Sequence, residues 1–290
     1  MRPILEKQAL EKQVPEKKIA YSGFAIEPIW LIMAVVTMGW TYTMLHLLNL
    51  NHDVGYGNFG PGMGIFDVFN TYLKDNSYLF LANLPICTTF DEMWTIYSGL
   101  SAFSMWFSMV LAMMVPSLLP FLMSKRPVAK SVWGFLFGYL AVWALCCVVG
   151  VSLQYLLYAG GYLNNQMVIT SHWFSAVIFF TIGIYQFTQV KAAACINRKR
   201  VIDRALNSSS GHGMAWKYGT QYGMTCVKGC CPLMLSMFAF GLMNIVAMAG
   251  LTILMYIETN SSFVERHTRY IGITAIVLGV FSLFFNLGSI

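Results

Sequence analysis

Long apolar runs alternate with short polar segments along this chain. Six of them, residues 28–50, 95–123, 132–158, 167–190, 231–257 and 271–287, contain no Asp, Glu, Lys or Arg. A membrane-crossing helix needs roughly 20 apolar residues, and the last run is the shortest that still qualifies. The pattern predicts an all-α fold, a polytopic membrane helix bundle with six transmembrane helices over residues 28–290. A charged cytoplasmic tail, residues 1–27, precedes it. Residues 51–94 are expected as an outer loop and residues 191–229 as a cytoplasmic loop.

Composition agrees with the pattern. The chain is 57% hydrophobic and 10% charged with mean hydropathy +0.62, whereas a soluble domain carries about 25% charged residues. A large water-soluble catalytic domain is thereby excluded. The net charge of +6 does not point to nucleic acid, because the basic residues are distributed as a topogenic signal. Fifteen of them lie in the tail, between Lys125 and Lys130, and between Lys191 and Lys228; Lys74, Arg266 and Arg269 fall in the alternate loops. The positive-inside rule then places both termini in the cytoplasm. Residues 1–18 are polar, so no cleavable signal is read there.

The loops carry little chemistry. The tail repeats Glu6-Lys7-Gln8, Glu11-Lys12-Gln13 and Glu16-Lys17-Lys18, a mixed-charge pattern of a solvated helix or disorder. The outer loop opens with Gly55, Gly57, Gly60-Pro61-Gly62 and Gly64, which reads as irregular turns. Residues 77–87 are apolar but too short to cross, and are expected at the interface or as a re-entrant segment. A Ser/Gly hinge, Ser208-Ser209-Ser210-Gly211, divides the cytoplasmic loop.

Of seven cysteines, only Cys87 falls outside on this topology, so no external disulfide framework is available. Cys226, Cys230 and Cys231 place three sulfurs within six residues at the cytoplasmic entrance of the fifth run, with Met234 just beyond. Pro232 fits the first helical position, with Cys231 near the N-cap and Gly229 allowing the preceding turn. Thiols at a helix N-terminus beside Lys228 ionise more readily. Thiolate with thioether is a soft ligand set, suited to copper as Cu(I) or, second, to zinc. The alternatives are packing of small apolar side chains and thiol redox chemistry.

Met109, Met113 and Met114 in the second run, followed by Pro116 and Pro120, approach the same cytoplasmic half. Methionine also fills gaps in cores, and by itself this stripe reads as packing. The fourth run ends in Tyr185-Gln186-Phe187-Thr188, then Lys191 and Cys195. Gln154, Gln186 and Asn244 are polar groups at membrane depth and should face other helices. Cys146 and Cys147 are expected to pack in the core. His46, His52, His172 and His267 fall at outer ends, where His52 beside Asp53 is a weak candidate for a divalent ion, and His212 lies inside.

Separated motifs resemble those of a bacterial family of unknown function described as predicted metal-binding integral membrane proteins. They are Trp106 with Ala112-Met113-Met114-Val115-Pro116 and Pro120, and Gly138-Tyr139-Leu140-Ala141-Val142-Trp143. Tyr185-Gln186-Phe187-Thr188 with Lys191 and Cys195 follows, then Gly223-Met224-Thr225-Cys226-Val227-Lys228-Gly229-Cys230-Cys231 through Asn244 to Glu258. Two positions depart from that pattern: Lys199 stands where the family has a second cysteine after Cys195, and Pro232 where it has tryptophan.

The resemblance implies a bacterial cytoplasmic membrane protein that binds metal. Read with the residues, the expected site is Cys226, Cys230, Cys231 and Met234, joined by Met113, Met114 and Cys195. The expected role is copper or other soft-metal binding that serves assembly or maintenance of a membrane metalloenzyme. The alternative is a structural accessory subunit of a larger membrane complex, such as a copper-dependent monooxygenase or respiratory enzyme. A membrane protein partner and the lipid bilayer are the expected partners. No phosphate-binding loop and no catalytic constellation is found.

Overall fold

The structure is a computed structural model and describes residues 27–50, 60–67, 96–119, 132–164, 167–207, 212–260 and 264–284. The expectations placed on the tail, residues 77–87, Cys87, His52 with Asp53, Pro120, and the Ser208–Gly211 hinge lie outside these residues. The described helices are α1 (Glu27–Leu50), α2 (Ile96–Met114), α3 (Val132–Ala159), α4 (His172–Gln186) and α5 (Gln189–Asn207). They continue as α6 (His212–Met234), α7 (Ser236–Phe240), α8 (Ile245–Asn260) and α9 (Val264–Phe284). A 3-10 turn, Pro116–Leu118, ends α2, with Pro116 at its first position. Among the described residues there is no strand, only one isolated bridge between Leu163 and Ile169. The fold is a helical bundle.

Side-chain contacts fix the direction of each helix. Tyr42 meets Ser104 at 2.6 Å and Thr43 meets Ser108 at 3.2 Å, while Ile32 packs with Leu111 and Val115, so α1 and α2 are antiparallel. Trp106 donates to Gln154 at 2.8 Å and the Tyr139 hydroxyl to the Met114 carbonyl at 3.3 Å, which makes α3 antiparallel to α2. Phe135 meets Gly219, Tyr139 meets Cys226 and Cys146 meets Cys231, so α6 runs parallel to α3. Gly183 faces Ile276 and Gly272 faces Phe187; α9 is antiparallel to α4.

Four stretches are long and apolar enough to cross a membrane: Trp30–Leu47, Ile96–Leu118, Val132–Ala159 and Met214–Phe240. The bent pair α4 and α5, turned by 58° at residues 187–188, supplies a fifth if it counts as one span. The expected fifth span, residues 231–257, is not a single helix. Gly241, at φ 101°, breaks it after α7, and Asn244 restarts it by accepting from the Ala247 N–H at 2.9 Å as the cap of α8. More decisively, the Lys191 ammonium touches both the Gly229 carbonyl, at 2.5 Å, and the Glu258 carboxylate, at 2.7 Å. A straight helix would hold residues 229 and 258 roughly 40 Å apart. The segment therefore turns at residues 241–244 and comes back to the level at which it began.

Two expectations change in consequence. α1 starts beside the end of α2, whereas α9 ends beside the start of α4, so Glu27 and Phe284 lie at opposite ends of the bundle. The described helices support a helical bundle but not six spans with both ends on one side. The start of α9 lies near the start of α5, because Thr268 meets the Glu258 carboxylate that pairs with Lys191. It does not face the opposite side. Residues 191–229, expected as a loop, form most of α5 and α6. The α5 sequence is rich in Ala, Arg and Lys, all strong helix formers.

Candidate functional site

The local geometry begins with Pro232, which lies inside α6 rather than at a helix start. Proline lacks an N–H, so the Lys228 carbonyl one turn earlier loses its intrahelical donor. The Tyr185 hydroxyl supplies one at 2.6 Å, and Lys191 donates to the neighbouring Gly229 carbonyl. The end of α4 and the start of α5 are thereby pinned to α6 where its ladder is interrupted. Gly229 makes room rather than a turn: a Cβ there would sit 2.6 Å from the Arg198 guanidinium and displace it.

Lys191 and Arg198 are the unexpected members of the site. The buried face of α5 reads Lys191, Ala194, Arg198, Val201 and Ala205, a regular three-four spacing in which two cations occupy core positions. Counting Lys and Arg only as topogenic charge concealed this, whereas the spacing of Ala194, Val201 and Ala205 reveals it. Lys191 is 1% exposed and Glu258 2%; their pair ties α5 to α8, and Thr268 of α9 donates to the same carboxylate at 3.4 Å. Arg198, 5% exposed, donates to the Thr259 hydroxyl at 2.8 Å and approaches the Cys230 sulfur at 3.7 Å.

The three clustered cysteines separate. Cys226 and Cys230, one helical turn apart, share a face of α6, where both thiols are fully enclosed. The Tyr139 hydroxyl lies 3.5 Å from the Cys226 sulfur and also reaches the Met114 carbonyl, so α2, α3, α5 and α6 converge on this pair. Cys231 points to another side and meets Cys146 of α3 at 3.6 Å. A residue one position along a helix is rotated by about 100° and cannot share the face of its neighbour. Cys147 is buried in the main core and Cys146 packs against it, as expected, with the contact to Cys231 in addition.

The other expected ligands lie in the same core or on α5. Met113, Met114 and Met234 are buried in the main apolar core together with Cys226 and Cys230. Cys195 is half-buried on α5 between Lys191 and Arg198, with Cys230 among its electrostatic neighbours. Among the described residues, no group of three or more His, Cys, Asp or Glu side chains is assembled to hold a metal ion. What the geometry offers is a two-thiol site beside a permanent cation. Two soft sulfurs suit a two-coordinate monovalent ion; structural zinc takes four ligands.

The polar residues expected to face other helices do so. Gln154 accepts from Trp106 and donates to the Met167 sulfur at 3.4 Å, and Met167 is held at a positive φ of 58° in the turn before α4. Asn244 donates to the Pro61 carbonyl at 3.0 Å and so anchors the described segment 60–67. Gln186 is buried, and no hydrogen-bond partner is found for either atom of its amide.

Comparison with known proteins follows the same residues. No curated protein and no solved structure matches the chain. Residues 103–282 match the family PpoB2, described as a copper chaperone, and this agrees with the metal-related part of the resemblance drawn from the separated motifs. The matched region is more than half of the sequence and includes the thiol pair with Tyr139, Lys191, Arg198 and Glu258; the chain belongs to this copper chaperone family.

Proposed function

We propose that this protein is a membrane-embedded carrier of Cu(I), which holds the ion between Cys226 and Cys230 and passes it to a copper enzyme in the same membrane. Membership of a copper chaperone family supports a copper-related accessory role. The observation that carries the finer reading is the enclosed thiol pair on one face of α6, bordered by Tyr139 and Arg198. Both sulfurs must shed their protons to bind metal, and two thiolates make a soft, low-coordinate site.

The positive-inside rule supports a cytoplasmic position for the end that carries Arg200, Arg204 and Lys217. Spanning a bilayer core takes about 20 residues. Counted back from the far end of α3 at Ala159, that length reaches Tyr139, so the thiol pair lies at the inner boundary of the membrane. Copper would enter there from the cytoplasmic face. The large exposed side chains along the spans, such as Trp173, Leu145 and Leu156, face lipid or the receiving protein. In lipid, packing and hydrogen bonds drive helix association.

Elemental analysis of the full chain, purified anaerobically in detergent, tests this. Stoichiometric copper is expected in the wild-type protein and in Cys231→Ser, and loss of copper in the double variant Cys226→Ser/Cys230→Ser. Copper retained by the double variant refutes the site. Partners retained in full while no metal is ever found would instead make the chain a structural subunit.

A further inference from the structure

Among the described residues, Arg198 is a buried cation that forms no ion pair with a carboxylate; its side-chain hydrogen-bond partners are a hydroxyl and a thiol. Its guanidinium donates to the neutral Thr259 hydroxyl and to the Cys230 sulfur, and no partner is found for its Nε. Tyr222, Cys226 and Cys195 are among its electrostatic neighbours. The adjoining Lys191–Glu258 pair is internally neutral, so it cannot offset the extra charge. Guanidinium stays protonated under all ordinary conditions, and an uncompensated buried charge is costly.

We infer that Arg198 sets the charge of the ion this site accepts and selects a monovalent soft cation over a divalent one. The inference rests on the reading of Cys226 and Cys230 as the ligands. When a cation binds, each thiol releases one proton to solvent and forms one bond from sulfur to metal. Cu(I) with two thiolates carries a charge of −1, which Arg198 cancels. Zn(II) with two thiolates is neutral, leaving the guanidinium charge unbalanced, and it also lacks the further ligands that its tetrahedral preference requires. Arg198 touches no metal in this scheme; it acts through Cys230 as a positioning and charge-balancing residue, held by Thr259 and given room by Gly229.

The test is a pair of competition titrations on the anaerobic full chain in detergent, with a chromophoric Cu(I) chelator in one and a Zn(II) chelator in the other. Ag(I) serves as a redox-inert check on charge. Wild type should favour Cu(I) and Ag(I) over Zn(II). Arg198→Gln should weaken Cu(I) on the order of 10- to 100-fold, the usual effect of losing a group that supports a metal ligand. It should weaken Zn(II) less, so that the preference narrows, and Arg198→Lys should restore most of it. Arg198→Met, which keeps the length without the charge, provides a second neutral variant if Gln is not tolerated.

An unchanged preference in either neutral variant overturns the inference, as does an equal loss for all three ions, which would mark Arg198 as merely structural. The reading on which it rests fails separately, if Cys226→Ser/Cys230→Ser still binds Cu(I) as wild type does.

Discussion

Two pairs of sulfurs meet within a few residues of each other along α6, one wholly on that helix and one joining it to α3, and they differ in everything except proximity. Cys226 and Cys230 are fully enclosed, belong to one helix face, and meet a guanidinium and a tyrosine hydroxyl. Cys146 and Cys231 join two helices at 3.6 Å and are each only partly buried. The closeness of two thiols therefore does not identify a copper site. What distinguishes the first pair is a built electrostatic surrounding, a buried cation set where a developing thiolate charge would need one.

The widest separation between the pairs is expected in metal content. Replacing both cysteines of the first pair with serine should abolish copper binding, whereas Cys146→Ala/Cys231→Ala should leave the copper stoichiometry intact, as measured by elemental analysis after anaerobic gel filtration. The opposite ranking would exchange the roles of the two pairs.

Next in size is the scaffold behind the first pair. Glu258→Gln leaves the Lys191 ammonium buried without its anion and should cost about 3–5 kcal/mol of stability, read as a lowered midpoint in thermal unfolding. The Cys146 and Cys231 single variants, which strand no charge, should shift that midpoint far less. A silent Glu258→Gln would mean that the Lys191 bridge between Gly229 and Glu258 does not hold the returning segment in place.

The smallest effect is expected at the proline break. Tyr185→Phe removes the donor to the Lys228 carbonyl and should cost about 1 kcal/mol, with a modest weakening of copper binding as the Cys230 turn loosens. Restoring the backbone donor with Pro232→Ala should recover much of that loss in the double variant. No coupling between the two substitutions would separate Tyr185 from the proline.

The helical character and the apolar spans were legible in the sequence because charge-free runs of about 20 residues leave few alternatives. The folded-back segment was not. Residues 231–257 are as apolar as a true span, and the signal that breaks them, Gly241 followed by Asn244, is short compared with the surrounding run. Pro232 misled in the other direction. Read locally it starts a helix, yet α6 continues through it because Tyr185 and Lys191, more than 35 residues earlier, satisfy the carbonyls near the break.

The site was half legible. Cys226 and Cys230 stood out by residue type, but helical rotation, not spacing in the sequence, decides that Cys231 leaves the group. Arg198 and Lys191 were hidden among seven basic residues of an apparent loop. Only the periodicity of Ala194, Val201 and Ala205 betrays that two of those cations are core residues.

The central claim is that copper is held by the sulfurs of Cys226 and Cys230. X-ray absorption at the copper edge on the anaerobically loaded full chain addresses it directly. The account predicts a monovalent copper spectrum with two sulfur neighbours, unchanged in Cys231→Ser and lost in Cys226→Ser/Cys230→Ser. A coordination shell of nitrogen or oxygen, or a two-sulfur shell that survives the double substitution, would contradict it.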